Sequence, residues 1–175
     1  MRDPWVMKHP YENKFIMAYT ARASINNDPY QCGVIGMAES NDLYEWKSTK
    51  PLFGGFFSQL EVPQIFKIKN KWYCLFCNHP EDWSNEFKKN YNGPNKRGTH
   101  YLIADKFEGP WNLAPGPYLT TSSEIELYAG RVIEKDNRFF FMAFLHDDLD
   151  GNFIGEISDP IPINFDTSGL MSLEI

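Results

Sequence analysis

Three pairs of apolar segments, each interrupted by a short polar turn, recur along this chain. They read DPWVMKHPYENKFIMAYTA, VPQIFKIKNKWYCLFCN and AGRVIEKDNRFFFMAFL, with Val6, Ile65 and Val132 at matching positions. The segments are short, rich in aromatic and β-branched residues, and bounded by Gly, Pro, Asn and Asp, which is typical of antiparallel hairpins. This repeat limits the chain to an all-β fold that is built from similar units.

Each hairpin is followed by a third apolar segment and then by a shorter fourth element. The third segments read CGVIGMAES, THYLIADKF and GNFIGEIS, and the fourth read YEWKS, GPWNL and IPINF. Repeated units of four antiparallel strands indicate the blades of a β-propeller, whereas a stacked β-sandwich does not predict matched four-strand units. We therefore predict one domain over residues 1–175, with blades at approximately 2–50, 61–115 and 127–165.

Three blades form an arc, because natural propellers usually have about 4–8 blades. An arc leaves an uncovered sheet at each end, and residue 1 falls at the start of an innermost strand. We expect either that the sequence continues upstream or that another chain closes the ring. Exposed strand edges also favour self-association. The tail DTSGLMSLEI is a candidate for one further strand.

The charge balance argues against nucleic acid as a partner. The chain has 23 acidic and 17 basic residues, and therefore a formal net charge of −6. Phosphate backbones need a basic protein face, and no basic patch with interleaved aromatic residues is present. No segment approaches the roughly 20 apolar residues of a membrane-spanning helix. We therefore expect neither nucleic acid nor a membrane as a partner.

The cysteines and histidines do not indicate a metal or a cofactor. Cys74 and Cys77 have the spacing of a metal-binding pair, but they lie in the strand pattern KWYCLFCN. Residues three apart on a strand point to opposite faces, so we expect two buried thiols. The four histidines have no ligand spacing, and HDDLDGN is typical of a hairpin turn that joins two strands.

Aromatic residues make up 16% of the chain, and most of them are expected to fill the β core. Some remain candidates for stacking against a sugar ring. Trp5 and Tyr128 lie near the starts of innermost strands, and Trp83 lies in the polar loop HPEDWSNEF, where we expect it to be exposed. Trp72 is assigned to the core.

Two carboxylates precede innermost strands in the same way. Asp3 stands before Pro4, and Glu61 stands two residues before Pro63. The innermost strands of a propeller run side by side around its axis, so we expect Asp3 and Glu61 to meet at one mouth of the channel. Two carboxylates across a small cleft are the chemical equipment of glycoside hydrolysis, in which one carboxyl group protonates the leaving oxygen.

These residues lie within motifs that resemble those of family 32 glycoside hydrolases, the invertases and β-fructosidases. RDPWV and EVPQIF resemble the Arg-Asp-Pro and Glu-Cys-Pro-Asp motifs of that family, and ESNDLYEW resembles the Ser-x-Asp-Leu-x-x-Trp segment between them. YAGRVIE is similar to the next blade, and FEGPW is common in the neighbouring family 43. The resemblance covers nearly the whole chain in order and spacing.

The resemblance implies a five-bladed propeller and assigns roles by motif. Asp3 matches the transition-state stabiliser, Glu61 the general acid/base, and Arg2 a substrate-binding arginine. The family's nucleophile lies in a Trp-x-Asn-Asp-Pro-Asn-Gly motif that this sequence lacks, and we interpret Asp28 in NNDPYQCG as a turn residue. Gln64 replaces the final aspartate of Glu-Cys-Pro-Asp, so we expect it to contact the sugar or to tune Glu61.

The sequence thus predicts a chain that processes or binds carbohydrate. The first hypothesis is hydrolysis of a glycosidic bond, with a fructoside as the substrate. A second is a non-catalytic carbohydrate-binding remnant, which the missing nucleophile and Gln64 favour. A third is a structural arc that closes through another chain. Intact Asp3 and Glu61 favour the enzyme.

Overall fold

The computed structural model describes residues 1–23, 28–120, 124, 126–148 and 150–175. Its regular elements are almost all strands, as the short apolar segments predict. The strands are β1 (Arg2–Lys8), β2 (Phe15–Arg22), β3 (Gly33–Ser40), β4 (Lys47–Ser48), β5 (Phe53–Gly54), β6 (Glu61–Ile68), β7 (Lys71–Asn78), β8 (Gly98–Ala104), β9 (Asn112–Leu113), β10 (Leu127–Lys135), β11 (Arg138–Asp147), β12 (Phe153–Ile157), β13 (Ile161–Phe165) and β14 (Met171–Leu173). A helix, α1 (Asn85–Asn90), and two short 3-10 segments, Pro29–Gln31 and Pro80–Asp82, complete the described elements.

Three antiparallel sheets follow one another along the chain. The first orders its strands β1-β2-β3-β4, with β5 also paired to β3, and the second orders them β6-β7-β8-β9. The third runs β10-β11-β13-β14, with β12 also paired to β11. Each sheet therefore begins with a hairpin whose first strand is innermost. The chain is a partial β-propeller of three blades: blade one (residues 2–54), blade two (61–113) and blade three (127–173).

Blade three departs from the predicted strand order. The segment IPINF does not lie outside GNFIGEIS, because β12 and β13 both pair with β11, one after the other along its length. Between them, the side chain of Ser158 accepts a hydrogen bond from the Ala143 amide at 3.0 Å, which continues the pairing across the break. The outermost strand is β14, which comes from the tail DTSGLMSLEI. The predicted outer position of IPINF is therefore wrong, and the candidate strand in the tail is confirmed.

Two apolar clusters fill the spaces between neighbouring blades. Blade two contributes to both clusters, so almost all of β7 is buried on both faces, which explains its continuous apolar sequence. Large side chains with almost no exposure are Ile16, Ile35, Phe57, Leu60, Ile65, Phe76 and Leu102 in the first cluster and Tyr73, Leu75 and Phe141 in the second. The blades therefore stack face to face through continuous cores.

Each innermost strand carries a β-bulge at the same point. The pairing register shifts between Arg2 and Trp5, between Glu61 and Gln64, and between Tyr128 and Arg131. The residues with a left-handed backbone at these bulges are Asp3 (φ 55°), Val62 (φ 47°) and Ala129 (φ 52°). Positive φ in residues other than glycine is uncommon, and bulges re-aim side chains beside functional sites. This repeated irregularity marks one end of the channel.

The segment ESNDLYEW forms the turn between β3 and β4. The hydroxyl oxygen of Ser40 accepts hydrogen bonds from the amides of Asp42 and Leu43, at 3.2 and 2.9 Å. The Asp42 carboxylate in turn accepts from the amides of Tyr44 and Glu45, both at 2.9 Å, and these bonds lower the pKa of Asp42. The serine and aspartate of this motif therefore have a structural role.

The helix α1 lies in the long connection between β7 and β8. Ser84 caps its start by accepting a hydrogen bond from the amide of Phe87 at 3.2 Å, and Phe87 is buried against blade two. In the part of the chain that the structure describes, no helix has the length and apolar character needed to span a bilayer.

Candidate functional site

The three bulges bring together one side chain from each blade. Arg2, Glu61 and Tyr128 occupy the same position, directly before the left-handed residue of each innermost strand. The guanidinium of Arg2 donates a hydrogen bond to one carboxylate oxygen of Glu61. The hydroxyl of Tyr128 donates to the other oxygen. Glu61 is therefore held between a cation from blade one and a phenol from blade three.

This register corrects the sequence-based matching of Asp3 with Glu61 as equivalent positions. Asp3 and Glu61 lie within β1 and β6 rather than before them, and the bulges make Arg2 the equivalent of Glu61. Asp3 is equivalent to Val62 and Ala129. The left-handed conformation of Asp3, with φ of 55°, nevertheless turns its carboxylate toward the same site. Arg2, Glu61 and Tyr128 each lie four residues before the matching positions Val6, Ile65 and Val132, so the repeat itself gives this register, and Asp3 lies one residue later.

The Asp3 carboxylate is fixed by blades one and two. Its Oδ2 atom accepts a hydrogen bond from the Thr20 hydroxyl at 2.8 Å and from the Val62 amide at 3.4 Å. The Nε atom of Arg2 lies 3.4 Å from the same oxygen. One guanidinium thus links both predicted catalytic carboxylates, whose side chains are 25% exposed for Asp3 and 19% for Glu61. Both acids can reach a ligand in the channel.

A second layer of polar residues supports Arg2, and the sequence did not identify it. The side-chain oxygen of Gln59 accepts a hydrogen bond from Arg2, and its amide nitrogen donates to Asp82 at 3.1 Å. Asp82 is only 8% exposed and also accepts from the Ser58 hydroxyl. The carboxylate of Asp82 therefore positions Gln59, which in turn orients Arg2. These contacts join residues that are distant in sequence, so local spacing gave no signal for them.

The charges at the site reinforce one another. Burial acts to lower the pKa of Arg2, but the hydrogen bond to Glu61 and the charges of Glu61 and Asp3 outweigh it and raise that pKa. Burial also raises the pKa of Tyr128, and the Cys77 thiol and the hydrogen bond to Glu61 act in the same direction. Arg2 therefore stays charged, and Tyr128 stays a neutral hydrogen-bond donor.

Gln64 lies away from the site, contrary to the prediction that it contacts the sugar. It is 5% exposed, and its side-chain amide forms two hydrogen bonds with the backbone of Val132 on blade three, at 2.8 and 2.7 Å. At the equivalent position of blade one, the indole nitrogen of Trp5 donates to the carbonyl of Ile65 at 3.1 Å. Both side chains connect a blade to the next one. Trp5 remains partly exposed beside the channel.

Trp83 is not the exposed aromatic residue that the sequence predicts. It is only 3% exposed, and its indole nitrogen donates to the side chain of Asn78 at 2.9 Å. Its ring packs against those of Phe87 and Tyr91, with centroids 5.2 and 4.8 Å away. The polar loop around Trp83 covers an aromatic cluster, and the tryptophan belongs to that core. By contrast, Trp72 is buried at 4% exposure, which confirms its assignment to the core.

The two neighbouring cysteines are buried thiols on opposite faces of β7, as the strand pattern predicts. Cys74 belongs to the cluster between blades one and two. Cys77 instead faces blade three, near the backbone of Ala129 and Gly130, and its sulfur lies 3.2 Å from the Thr99 hydroxyl oxygen. Neither side chain is exposed, and burial raises the pKa of both thiols. They therefore do not form a shared metal site.

The fold also groups possible metal-binding side chains that sequence spacing did not reveal. Single donor atoms of Glu126, His146 and Asp147 all lie within 4.8 Å of one another at the rim of blade three. The guanidinium of Arg97 occupies the same group, 2.9 Å from Glu126 and 3.7 Å from Asp147. A fixed cation thus already balances these carboxylates, so the cluster is best described as an ion-pair network.

The comparisons with known proteins agree with this fold. No family model matches the chain, and no curated protein matches it in sequence. Solved structures do match in fold. The inulosucrase from Halalkalicoccus jeotgali, bound to kestose, superimposes with a TM-score of 0.78 at 18% identity, over 98% of this chain and 48% of the inulosucrase chain.

Levansucrases show the same relation. The Bacillus subtilis enzyme matches with a TM-score of 0.71 at 15% identity, over 99% of this chain and 49% of its own. The Gluconacetobacter diazotrophicus enzyme matches with a TM-score of 0.69 at 14% identity, over 98% and 44%. These neighbours are levansucrases and an inulosucrase rather than the invertases whose motifs the sequence resembles. The chain spans about half the length of these proteins and shares their β-propeller fold.

Proposed function

We propose that this chain carries part of a glycoside-processing site, with hydrolysis of a glycosidic bond as the reaction and a fructoside as the substrate. The observation that carries the proposal is the position of Glu61, which Arg2 and Tyr128 hold from two sides. Asp3 lies within reach of the same arginine. The Halalkalicoccus jeotgali inulosucrase is bound to kestose, and a Bacillus subtilis levansucrase variant is in complex with oligosaccharides, which supports a carbohydrate ligand for a similar channel.

The roles follow from the environments of the two carboxyl groups. Glu61 is the general acid/base that the motif resemblance assigns, and Arg2 and Tyr128 fix the position of its carboxyl group at the site. Asp3 is the stabiliser of the oxocarbenium-like transition state. The Thr20 hydroxyl and the Val62 amide both donate to its carboxylate and hold it at the site. Arg2 binds sugar hydroxyl groups at the funnel mouth and links the two acids.

A non-catalytic carbohydrate-binding function is the second candidate. The sequence lacks the motif that carries the nucleophile in the family it resembles. A retaining glycosidase needs a second carboxylate that attacks the sugar, so binding without turnover follows if no such group joins the site. Self-association through the open blades is also part of the proposal, since Phe153 and Ile157 of blade three are 68% and 70% exposed.

The test is fructose release from sucrose and from inulin by the protein and by two variants. We expect Glu61→Gln and Asp3→Asn each to reduce the rate by about 10²-fold or more, because the first removes the group that exchanges a proton and the second removes the charge that stabilises the transition state. Glu134→Gln is the matched control, since Glu134 is exposed at the far end of β10 and should leave the rate unchanged. Equal rates in all four proteins would contradict the assigned roles.

Binding and turnover are separated by calorimetry with the same sugars. Saccharide binding without fructose release, weakened by Arg2→Met, supports the carbohydrate-binding function. Absence of both binding and release contradicts both candidates. Thermal unfolding of each variant shows whether a loss reflects the site or the fold.

A further inference from the structure

The guanidinium of Arg131 lies in the channel. It forms no ion pair with a carboxylate of the described residues. Its Nη1 atom donates to the carbonyl of Val62 at 2.6 Å and to that of Gly130 at 3.2 Å. Its guanidinium carbon lies 5.9 Å from the centroid of the Trp5 ring. Among the residues that the structure describes, no Asp or Glu oxygen lies within 4.0 Å of it. Backbone carbonyls and one ring therefore hold the charge.

Other arginines at this end of the channel differ from Arg131. Arg2 pairs with Asp3 and Glu61, and Arg97 pairs with Glu126. Arg131 is partly buried, and burial lowers its pKa, with only weaker opposing effects from neighbouring groups. A desolvated charge without a counter-ion is unfavourable unless something else in the site offsets it.

The free donors of Arg131 face the channel. A guanidinium carries five N–H groups, and those of Nη1 serve Val62 and Gly130. Within the described ranges, Nε and Nη2 form no hydrogen bond, and neither atom is fully buried. Arg131 also feels the negative charge of Asp3. Because Trp5 of blade one and Val62 of blade two both contact this guanidinium of blade three, it lies where the three innermost strands meet.

We propose that Arg131 binds an anionic substituent, a carboxylate or a phosphate, on the saccharide held by Asp3 and Glu61. The planar guanidinium presents paired N–H groups that match such an anion, and the contact to Val62 fixes the direction in which they point. The inference rests on the proposed function, because it names the substrate class of that same site. It makes Arg131 a residue that determines specificity.

The sequence position of Arg131 strengthens the assignment to the channel. It occupies the position at which Trp5 and Gln64 connect their blades to the next one. Arg131 instead reaches back to Val62 of blade two. Gly130 beside it leaves no room for a side chain, because a Cβ atom there would lie 2.1 Å from the Phe141 ring. The innermost strand therefore packs closely against β11 directly beside Arg131.

The experiment measures binding of two pairs of sugars by isothermal titration calorimetry. D-fructose 6-phosphate is compared with D-fructose, and D-galacturonate with D-galactose, at low and high salt. The protein is tested with Arg131→Met, with Arg131→Lys, and with Arg138→Met as a control. Arg138 is an exposed arginine of the same blade, placed over the ring of Phe140. Thermal unfolding verifies that each variant is folded.

We expect at least one anionic sugar to bind about tenfold or more tightly than its neutral parent, as for a charge-assisted hydrogen bond. Arg131→Met should abolish this preference, Arg131→Lys should retain part of it, and Arg138→Met should keep all of it. The two pairs distinguish a phosphate from a carboxylate, and inorganic phosphate alone tests whether the sugar is needed.

Three results would overturn the proposal. Equal binding of charged and neutral sugars removes the anionic substrate class but leaves the proposed function intact. If Arg131→Met still binds the anionic sugar more tightly than the neutral one, another arginine binds the anion. Failure of all four sugars to bind contradicts this proposal, whereas fructose release from sucrose in the same preparation still supports the proposed function.

Discussion

At the scale of single residues, His100 is a histidine that the fold encloses almost completely. It is 3% exposed, and its Nε2 atom has no hydrogen-bond partner in the described residues. Rings of Phe76, Phe57 and Tyr118 pack around it, with centroids 5.3, 5.5 and 4.6 Å away. Burial lowers the pKa of His100 from 6.5 to about 3. The folded protein therefore holds this imidazole neutral at mildly acidic pH.

We predict that His100 makes the protein less stable in mild acid. Below pH 6.5 the unfolded chain binds a proton on this histidine that the folded chain rejects, so the free energy of unfolding falls until about pH 3. At pH 5 the loss from this residue is about 2 kcal/mol. Urea unfolding at pH 7 and pH 5 should show a smaller pH-dependent loss for His100→Phe. An identical loss in both proteins would contradict the assignment.

The residues of the site differ in how well sequence predicts them. Asp3, Glu61 and Arg2 lie in short motifs beside prolines, so local pattern was sufficient to select them. Gln59 and Arg131 act through contacts with other blades, and nothing near them in sequence marks those contacts. Polar surroundings suggested an exposed Trp83, but long-range packing of aromatic rings buries it.

At the scale of elements, side chains of the innermost strands connect neighbouring blades. Gln64 of β6 bonds to both backbone groups of Val132 in β10, as an additional strand would. Trp5 of β1 makes a single bond to Ile65 of β6. Strand periodicity correctly predicted most of these strands. Bulges, and the order of β12, β13 and β14, depend on packing that sequence pattern does not encode.

We predict that Gln64→Leu weakens the junction between blades two and three. The change leaves the N–H and C=O groups of Val132 buried without a partner, so the free energy of unfolding should fall by about 2 kcal/mol or more. Trp5→Phe is the comparison, because it removes one hydrogen bond at the other junction. Urea unfolding measures both losses. Unchanged hydrogen exchange at the Val132 amide in Gln64→Leu would exclude this role.

At the scale of the whole molecule, three blades form an arc, and blades one and three each have one sheet face that no other blade of the chain covers. Blade three presents an apolar outer face, with exposed or partly exposed side chains of Ile133, Phe140, Met142, Phe144, Phe153 and Ile157. The repeat of four-stranded units was sufficient to predict this architecture. Only the fold, however, shows that Arg2, Glu61 and Tyr128 meet at the same end of the arc. We propose that a saccharide binds at that meeting point.

The most direct test of this claim is to titrate the isotope-labelled protein with kestose and to follow its backbone amides by NMR. We expect the largest shifts at the three bulges, in the amides of Asp3, Val62 and Ala129, and we expect them to disappear in the double variant Glu61→Gln/Arg2→Met. Amides of the blade-three hairpin near Gly151 should not move. Shifts confined to that hairpin or to the outer faces, with unmoved bulges, would contradict a saccharide site at this end of the channel.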